Sequence, residues 1–262
     1  MKKIILPVVA FALLAVSIVS CKKLGGDDNT NPTPTPVVVD SLKIGLLAYY
    51  PLNNSGADSS GKGNDVYAYY AITSTTNRFN KLNSALSFNG TSSYMIVKDK
   101  ADLRLSNTNF TTNVWVYMEA YNASFGSEIL CKRGTGSTNG WNYSIFGNGS
   151  LNAAPIGSTS FQVSGGTDPL APGGKAITLN QWHMLTTVYD VTKKQITFYI
   201  DGVLDKSTTN VPSPVSTATA DLVIGADSQG PDYKYKGSID DIRIYNRALP
   251  QNQITKLFTT NN

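Results

Sequence analysis

The chain has 262 residues, room for one large all-β domain or two small ones. Hydrophobic residues make up 41% and charged residues only 15%, with 22 Gly and 14 Tyr, a balance that suits a real core under a Ser-, Thr-, Asn- and Tyr-rich surface with many turns. The net charge of +4 is modest and the Lys and Arg are scattered, with no basic run or basic helix, which excludes a nucleic-acid footprint.

Residues 1–20 read as an export signal: Lys2 and Lys3 precede a continuous apolar run over 4–19. That run is short for a bilayer span, which needs about 20 residues. Ile18-Val19-Ser20-Cys21 resembles the lipobox of bacterial lipoproteins. The resemblance implies cleavage before Cys21 and acylation (palmitate) of its thiol and new amino group. Several acyl chains hold a protein stably on a membrane, each buried methylene contributing about 0.8 kcal/mol. With Cys21 acylated, Cys131 has no partner for a disulfide and reads as a small buried strand residue.

Residues 21–41 are the lipidated Cys and a flexible Pro/Thr/Gly linker. Its Asn31-Pro32-Thr33-Pro34-Thr35-Pro36 is a polyproline II piece rising about 3.1 Å per residue. Gly26-Asp27-Asp28 resembles an acidic export tag, so the expected address is the cell envelope, on the outer membrane and facing outward.

The folded domain is expected over 42–262. A first strand over 44–52 leads into a loop of turn formers over 54–65. Short apolar strands then recur at 85–88, 94–97, 113–118, 127–131, 143–146 and 161–164. A hairpin follows: Trp182-His183-Met184 through Asp190, then Ile196–Ile200, where Asp201-Gly202 suits a type I′ turn. Strands at 221–225 and 238–245 close the series, and residues 250–258 are the one helical stretch, with Ile254, Leu257 and Phe258 on one side. Short strands at this density indicate a two-sheet antiparallel jelly-roll sandwich in a single domain.

These stretches, in this order, resemble the laminin-G-like, concanavalin A-like jelly-roll family of secreted bacterial proteins. Leu47-Ala48-Tyr49-Tyr50-Pro51-Leu52, Ala85-Leu86-Ser87-Phe88-Asn89-Gly90, Phe110 to Trp115-Val116, the central hairpin, and Lys236-Gly237-Ser238-Ile239-Asp240-Asp241-Ile242-Arg243-Ile244-Tyr245 carry the likeness. It implies two curved antiparallel sheets whose edge loops or concave face meet a ligand, most often a glycan. Some relatives bind proteins and some are glycanases, so the fold alone does not decide.

The residues narrow the choice. A glycosidase needs two positioned carboxyl groups. The chain has two glutamates, Glu119 and Glu128, on different stretches, and Asp240 and Asp241 read as pointing to opposite faces of a strand. His183, the only histidine, sits in a strand beside Trp182 and reads as a packing and hydrogen-bonding residue.

Calcium takes six to eight oxygen ligands. Asp58, Asn64 and Asp240, with Asp241 as the alternative, are the candidate ligands of a structural Ca2+; the competing reading has Asp58 capping a turn and Asp240 accepting backbone hydrogen bonds. Sugar recognition uses flat aromatic faces beside amides and carboxylates. Trp141, Tyr233 and Tyr235, with Tyr143 and Asp227 beside them, are the candidate ligand residues, and Tyr67, Tyr69 and Tyr70 form a further aromatic cluster. Trp115 and Trp182 read as core. The expected function is a non-catalytic carbohydrate-binding module of a lipid-anchored envelope protein that captures a glycan or glycoprotein. A protein-binding adhesin-like module is the alternative, and a glycoside hydrolase a third.

Overall fold

Alternating apolar and polar residues dominate from Leu46 onward, and they build strands. The computed structural model describes residues 40–123, 125–134, 139–149, 154–164, 170–215, 219–227 and 233–260. In chain order the strands are β1 (Leu46–Tyr50), β2 (Val66–Tyr70), β3 (Thr73–Thr75), β4 (Ala85–Asn89), β5 (Tyr94–Val97), β6 (Phe110–Met118), β7 (Gly126–Arg133) and β8 (Gly140–Phe146). They continue as β9 (Ser158–Ser164), β10 (Leu170–Ala176), β11 (Trp182–Asp190), β12 (Gln195–Ile200), β13 (Val203–Thr208), β14 (Leu222–Ile224) and β15 (Lys236–Tyr245), followed by helix α1 (Gln251–Thr259). The signal segment, Cys21 and the linker through residue 39 lie outside the described residues.

The strands form two antiparallel sheets packed as a jelly-roll sandwich. One has eight strands in the order β13-β12-β11-β6-β15-β4-β3, with β1 also paired to β15; the other has seven, β10-β9-β8-β7-β14-β5-β2. Phe110, Val114 and Val116 of β6, Tyr189 of β11 and Ile242 and Ile244 of β15 meet Leu130, Trp141, Tyr143 and Phe161 from the other sheet in one apolar layer. Strand alternation explains the sorting, because every second side chain faces the partner sheet.

The hairpin forms as its sequence demands. Asp201 and Gly202 have φ of 53° and 76°, the left-handed pair of a type I′ turn, and Ile200 pairs with Val203 across it. Asp201 also accepts from the Met184 amide at 2.8 Å and lies 2.8 Å from His183 Nδ1. The Thr178 amide donates to His183 Nε2 at 3.2 Å, so the ring proton sits on Nδ1 and points at Asp201. The histidine pins a turn.

A second apolar cluster lies on the outer face of the eight-stranded sheet. Helix α1 lays Ile254 and Leu257 there over Trp115, Met184 and Val188, each fully buried aliphatic contributing about 1.5–3 kcal/mol. Phe258 stacks on Trp115 at 5.6 Å. Trp115 is therefore not in the layer between the sheets, because it alternates with Val114 and Val116. Trp182 is half-buried at the margin of this cluster, 5.8 Å from Tyr117.

Asp240 does not share the face of Ile242 and Ile244, and Asp240 and Asp241 do not point to opposite faces. A register shift between Asp240 and Arg243, with Asp241 at φ 47°, inserts one extra residue into β15. Both carboxylates then reach one guanidinium: Arg78 Nη1 lies 2.9 Å from Asp240 and Nη2 lies 2.7 Å from Asp241.

Candidate ligand-binding face

The outer face of the seven-stranded sheet is built by the positions that alternate with the core. Glu128 of β7 pairs with Ser144 of β8, which pairs with Ser160 of β9; Cys131, Asn142 and Gln162 form the next row. The tyrosine and isoleucine neighbours of these residues point inward, so this face is polar across three strands.

Its centre is a hydrogen-bonded cluster. Asn142 Nδ2 donates to Glu128 Oε1 at 2.7 Å. Arg133 donates to Gln162 Oε1 at 3.2 Å and forms an ion pair with Asp227. Cys131 Sγ lies 3.5 Å from Asp227 Oδ1, so the thiol donates to the carboxylate. Burial pushes the Glu128 carboxyl up to about 8, Asp227 adds to the rise, and Arg133 and Asn142 oppose it. At neutral pH Glu128 therefore holds a proton and can donate as well as accept. Glu128 and Asn142 are each only 2% exposed, yet Glu128 Oε2 and Asn142 Oδ1 have no hydrogen-bond partner. Buried polar atoms left unpaired cost about 1–3 kcal/mol each, which a hydroxyl-bearing ligand would recover.

An aromatic pair borders the cluster. The Glu128 amide donates to the Tyr233 carbonyl at 3.1 Å, and the Tyr233 ring stacks on Phe125 at 6.1 Å and 21°. Phe125 is 48% exposed.

Of the sequence-derived ligand residues, only Asp227 and Tyr233 belong to this face. Trp141, Tyr143 and Tyr235 are fully buried in the core and cannot stack on a sugar. Trp141 and Tyr143 lie on the inward phase of β8, where Trp141 donates to the Leu103 carbonyl at 3.1 Å and stacks on Phe161 at 5.8 Å. Tyr235 packs edge-on to Phe88 at 6.0 Å and donates to the Ser238 carbonyl. Glu128, Arg133, Asn142 and Gln162 take their places. For Asn142 and Gln162 the signal in the sequence is a polar residue alternating with aromatic or aliphatic ones, whereas Glu128 and Arg133, five residues apart, share the face only through the bulge between Glu128 and Leu130.

The calcium ligands do not converge. Asp58 accepts from the amides of Tyr49, Ser60 and Asn64 at 2.9 Å each. Burial alone would raise its pKa, but those amides hold it below the usual carboxylate range. Asn64 keeps one unpaired oxygen, Oδ1, while its Nδ2 donates to the Leu47 carbonyl at 2.8 Å. The loop carbonyls of Lys62 and Gly63 accept from the ammonium of Lys100. Asp240 and Asp241 are held by Arg78, whose positive charge repels a metal ion. Among the described residues no group of three His, Cys, Asp or Glu side chains is placed to hold a metal. The four residues do not fit calcium: Asp58 closes a turn, and the β15 pair neutralises an arginine.

Comparison with known proteins agrees with this architecture. Residues 89–255 match the profile of the concanavalin A-like lectin/glucanases superfamily. The fold is similar to domain 4 of AbnA, a GH43 extracellular arabinanase from Geobacillus stearothermophilus, solved in complex with arabinotriose. The TM-score is 0.60 at 25% identity, over 82% of this chain and 98% of that domain. It is also similar to the binding domain of Paraclostridial Mosquitocidal Protein 1, with TM-score 0.65, 17% identity and 83% of this chain covered. The binding domain of Botulinum neurotoxin DC, in complex with rat synaptotagmin II, matches with TM-score 0.59 and 12% identity over 83% of this chain. The chain spans about half the length of these toxin domains, 52% in each case. Among curated protein sequences, none matches the chain.

Proposed function

The chain belongs to the concanavalin A-like lectin/glucanases superfamily, and from that premise we propose that it is a non-catalytic carbohydrate-binding module held on the cell envelope by a lipid anchor at Cys21. The observation that carries the reading is the outer face of the seven-stranded sheet, where two unpaired buried polar atoms lie beside an exposed aromatic ring. Hydroxyl-rich rings with apolar C–H faces are complementary to that combination. The arabinanase domain, matched over nearly its whole length and solved with arabinotriose, supports the same class of ligand.

Glu128 and Asp227 supply the one observation in favour of hydrolysis, a raised carboxyl near a second carboxylate. Asp227 is held in an ion pair with Arg133, however, and Glu128 is hydrogen-bonded by Asn142, so the two are engaged as hydrogen-bonding groups and not posed as the acid and nucleophile of a hydrolase. The site binds and does not cleave.

Isothermal titration with arabino-oligosaccharides and a panel of neutral polysaccharide fragments tests the reading. Asn142→Ala is expected to weaken binding about tenfold, the loss of one or two hydrogen bonds to a buried group. Full affinity in this variant, or no binding to any glycan, would overturn the proposal. The anchor has its own test. Cys21→Ser is expected to move the protein from the membrane fraction to the soluble fraction, and retention on the membrane would refute acylation at Cys21.

A further inference from the structure

We propose that the Tyr70–Tyr94–Lys234 stack, at the β2 edge of the same sheet face, is a subsite for an acidic sugar in the glycan chain; this rests on the binding reading above. Tyr70 and Tyr94 are cross-strand partners on that outer face. Ile96, two residues beyond Tyr94 and on its side of β5, pairs with Val223, and Val223 pairs with Cys131, so the Asn142 row crosses the face to Ala68 and Ile96, one row away from the tyrosines.

The two rings stack at 4.3 Å and 12°. The Lys234 ammonium lies 4.3 Å from the Tyr94 centroid. Two groups that close cannot share one face of a ring, so Lys234 and Tyr70 lie on opposite faces of Tyr94. Lys234 follows Tyr233, whose carbonyl accepts the Glu128 amide at 3.1 Å. The order across the face is therefore polar cluster, ammonium, Tyr94, Tyr70. A glycan leaving the cluster toward β2 meets the cation first and the phenol edges next.

Two features of this stack are costly without a ligand. Tyr70 is 44% exposed on an edge strand, where natural sheets place charge or proline to prevent pairing with other chains. Its neighbours in β2 are tied elsewhere, Tyr69 Oη accepting the Gly56 amide at 2.8 Å and Lys98 sitting 3.8 Å over the Tyr67 ring, whereas Tyr70 is engaged with Tyr94 inside the stack itself. Lys234 is half-buried, and burial pulls its pKa below the usual value. The Asp227 charge offsets part of that fall, and among the described residues no carboxylate forms an ion pair with the ammonium. A half-buried ammonium with an aromatic face on one side, and with the Asp227 charge near it but outside ion-pair distance, is complementary to an incoming carboxylate. A uronic acid supplies the carboxylate and the ring together.

Matched oligosaccharides separate this inference from the reading beneath it. The probes are oligogalacturonates as free acids and as methyl esters, which differ in the carboxylate charge, with neutral arabino-oligosaccharides alongside. The free acid is expected to bind about tenfold tighter than its ester. In Lys234→Met that ratio falls to one, with the unfolding midpoint unchanged, whereas Asn142→Ala weakens acid and ester alike. Equal affinity for acid and ester, or a ratio that survives Lys234→Met, overturns the subsite. Binding of neutral glycans alone overturns it and leaves the module intact. Silence across all probes overturns both.

Discussion

Replacing Arg78 by alanine is expected to lower stability by about 3–5 kcal/mol, the usual cost of leaving a buried charge without its partner. For a domain of this size that corresponds to a fall of about 6–20 °C in the unfolding midpoint. The guanidinium lies 2.9 Å from Asp240 and 2.7 Å from Asp241, and the three side chains are 5%, 2% and 4% exposed. It also sits 4.4 Å from the Trp115 ring and 4.5 Å from the Phe79 ring. Among the described residues, its removal leaves the two adjacent carboxylates with Arg243, 3.5 Å from Asp241, as their remaining ion-pair partner.

The deficit should depend on pH. Burial, and then the Asp241 charge, push Asp240 up to about 7 although Arg78 opposes them. A carboxyl whose folded pKa is raised stabilises fully below its unfolded value of about 3.8 and loses that contribution as pH rises through 7. Without Arg78 the proton on Asp240 is held more tightly still, so the variant suffers most above pH 7 and least near pH 5. Thermal unfolding of both proteins across that range reads the narrowing directly. Adding Asp240→Asn and Asp241→Asn to Arg78→Met should recover most of the loss, since no charge is then left unpaired. A deficit under about 1 kcal/mol, flat with pH, would mean the cluster is solvated after all.

This cluster marks where the sequence stopped being legible. The type I′ turn at Asp201-Gly202, the closing strand and the apolar side of α1 follow from local chemistry, and each forms where its residues predict. Asp240 and Asp241 could not be placed by alternation, because one inserted residue at φ 47° cancels the period of two. Strand β10 was hidden by Pro172-Gly173-Gly174, residues that suit only the sheet edge it occupies. Strand β2 was hidden differently. It buries Val66 alone and exposes tyrosines, so it shows no apolar alternation.

The site was half legible for a related reason. Trp141 and Tyr143 look like sugar platforms in composition, but they share a phase with Ile145, and that phase is the core. Counting in twos along β8 assigns Asn142 and Ser144 to the other face. Glu128 reads in the sequence as a glutamate without a catalytic partner, and in the fold it is a buried, protonated hydrogen-bonding group. No spacing rule reveals that, since its partner Asn142 comes from the neighbouring strand β8 and the Asp227 charge from the segment after β14, and only the folded sheet brings them together.

A second large effect is expected at Gly237, where Gly237→Ala should abolish folding or cost at least about 4 kcal/mol, combining backbone strain with overpacking. Gly237 lies near the start of β15, between two strands, paired with Phe88 of β4 on one side and Met118 of β6 on the other. Its φ is +135°, a region L-residues avoid, and an added Cβ would stand 2.0 Å from the Tyr117 carbonyl oxygen. That oxygen is backbone inside a central strand and cannot rotate away. Relief requires β15 and β6 to separate, and these two strands carry Val114, Val116, Ile239 and Ile242 of the core. Since a domain of this kind has about 5–15 kcal/mol in total, the loss approaches the whole. Gly61 separates the two causes. It also has positive φ, +80°, but nothing lies within 4 Å of its added Cβ. Gly61→Ala therefore meets backbone strain alone and should cost about 1–2 kcal/mol. Urea unfolding of the two variants side by side measures the steric part as their difference. If Gly237→Ala unfolded at the same midpoint as Gly61→Ala, the close approach of β15 to β6 would be wrong, and with it the register that sets both faces of the eight-stranded sheet.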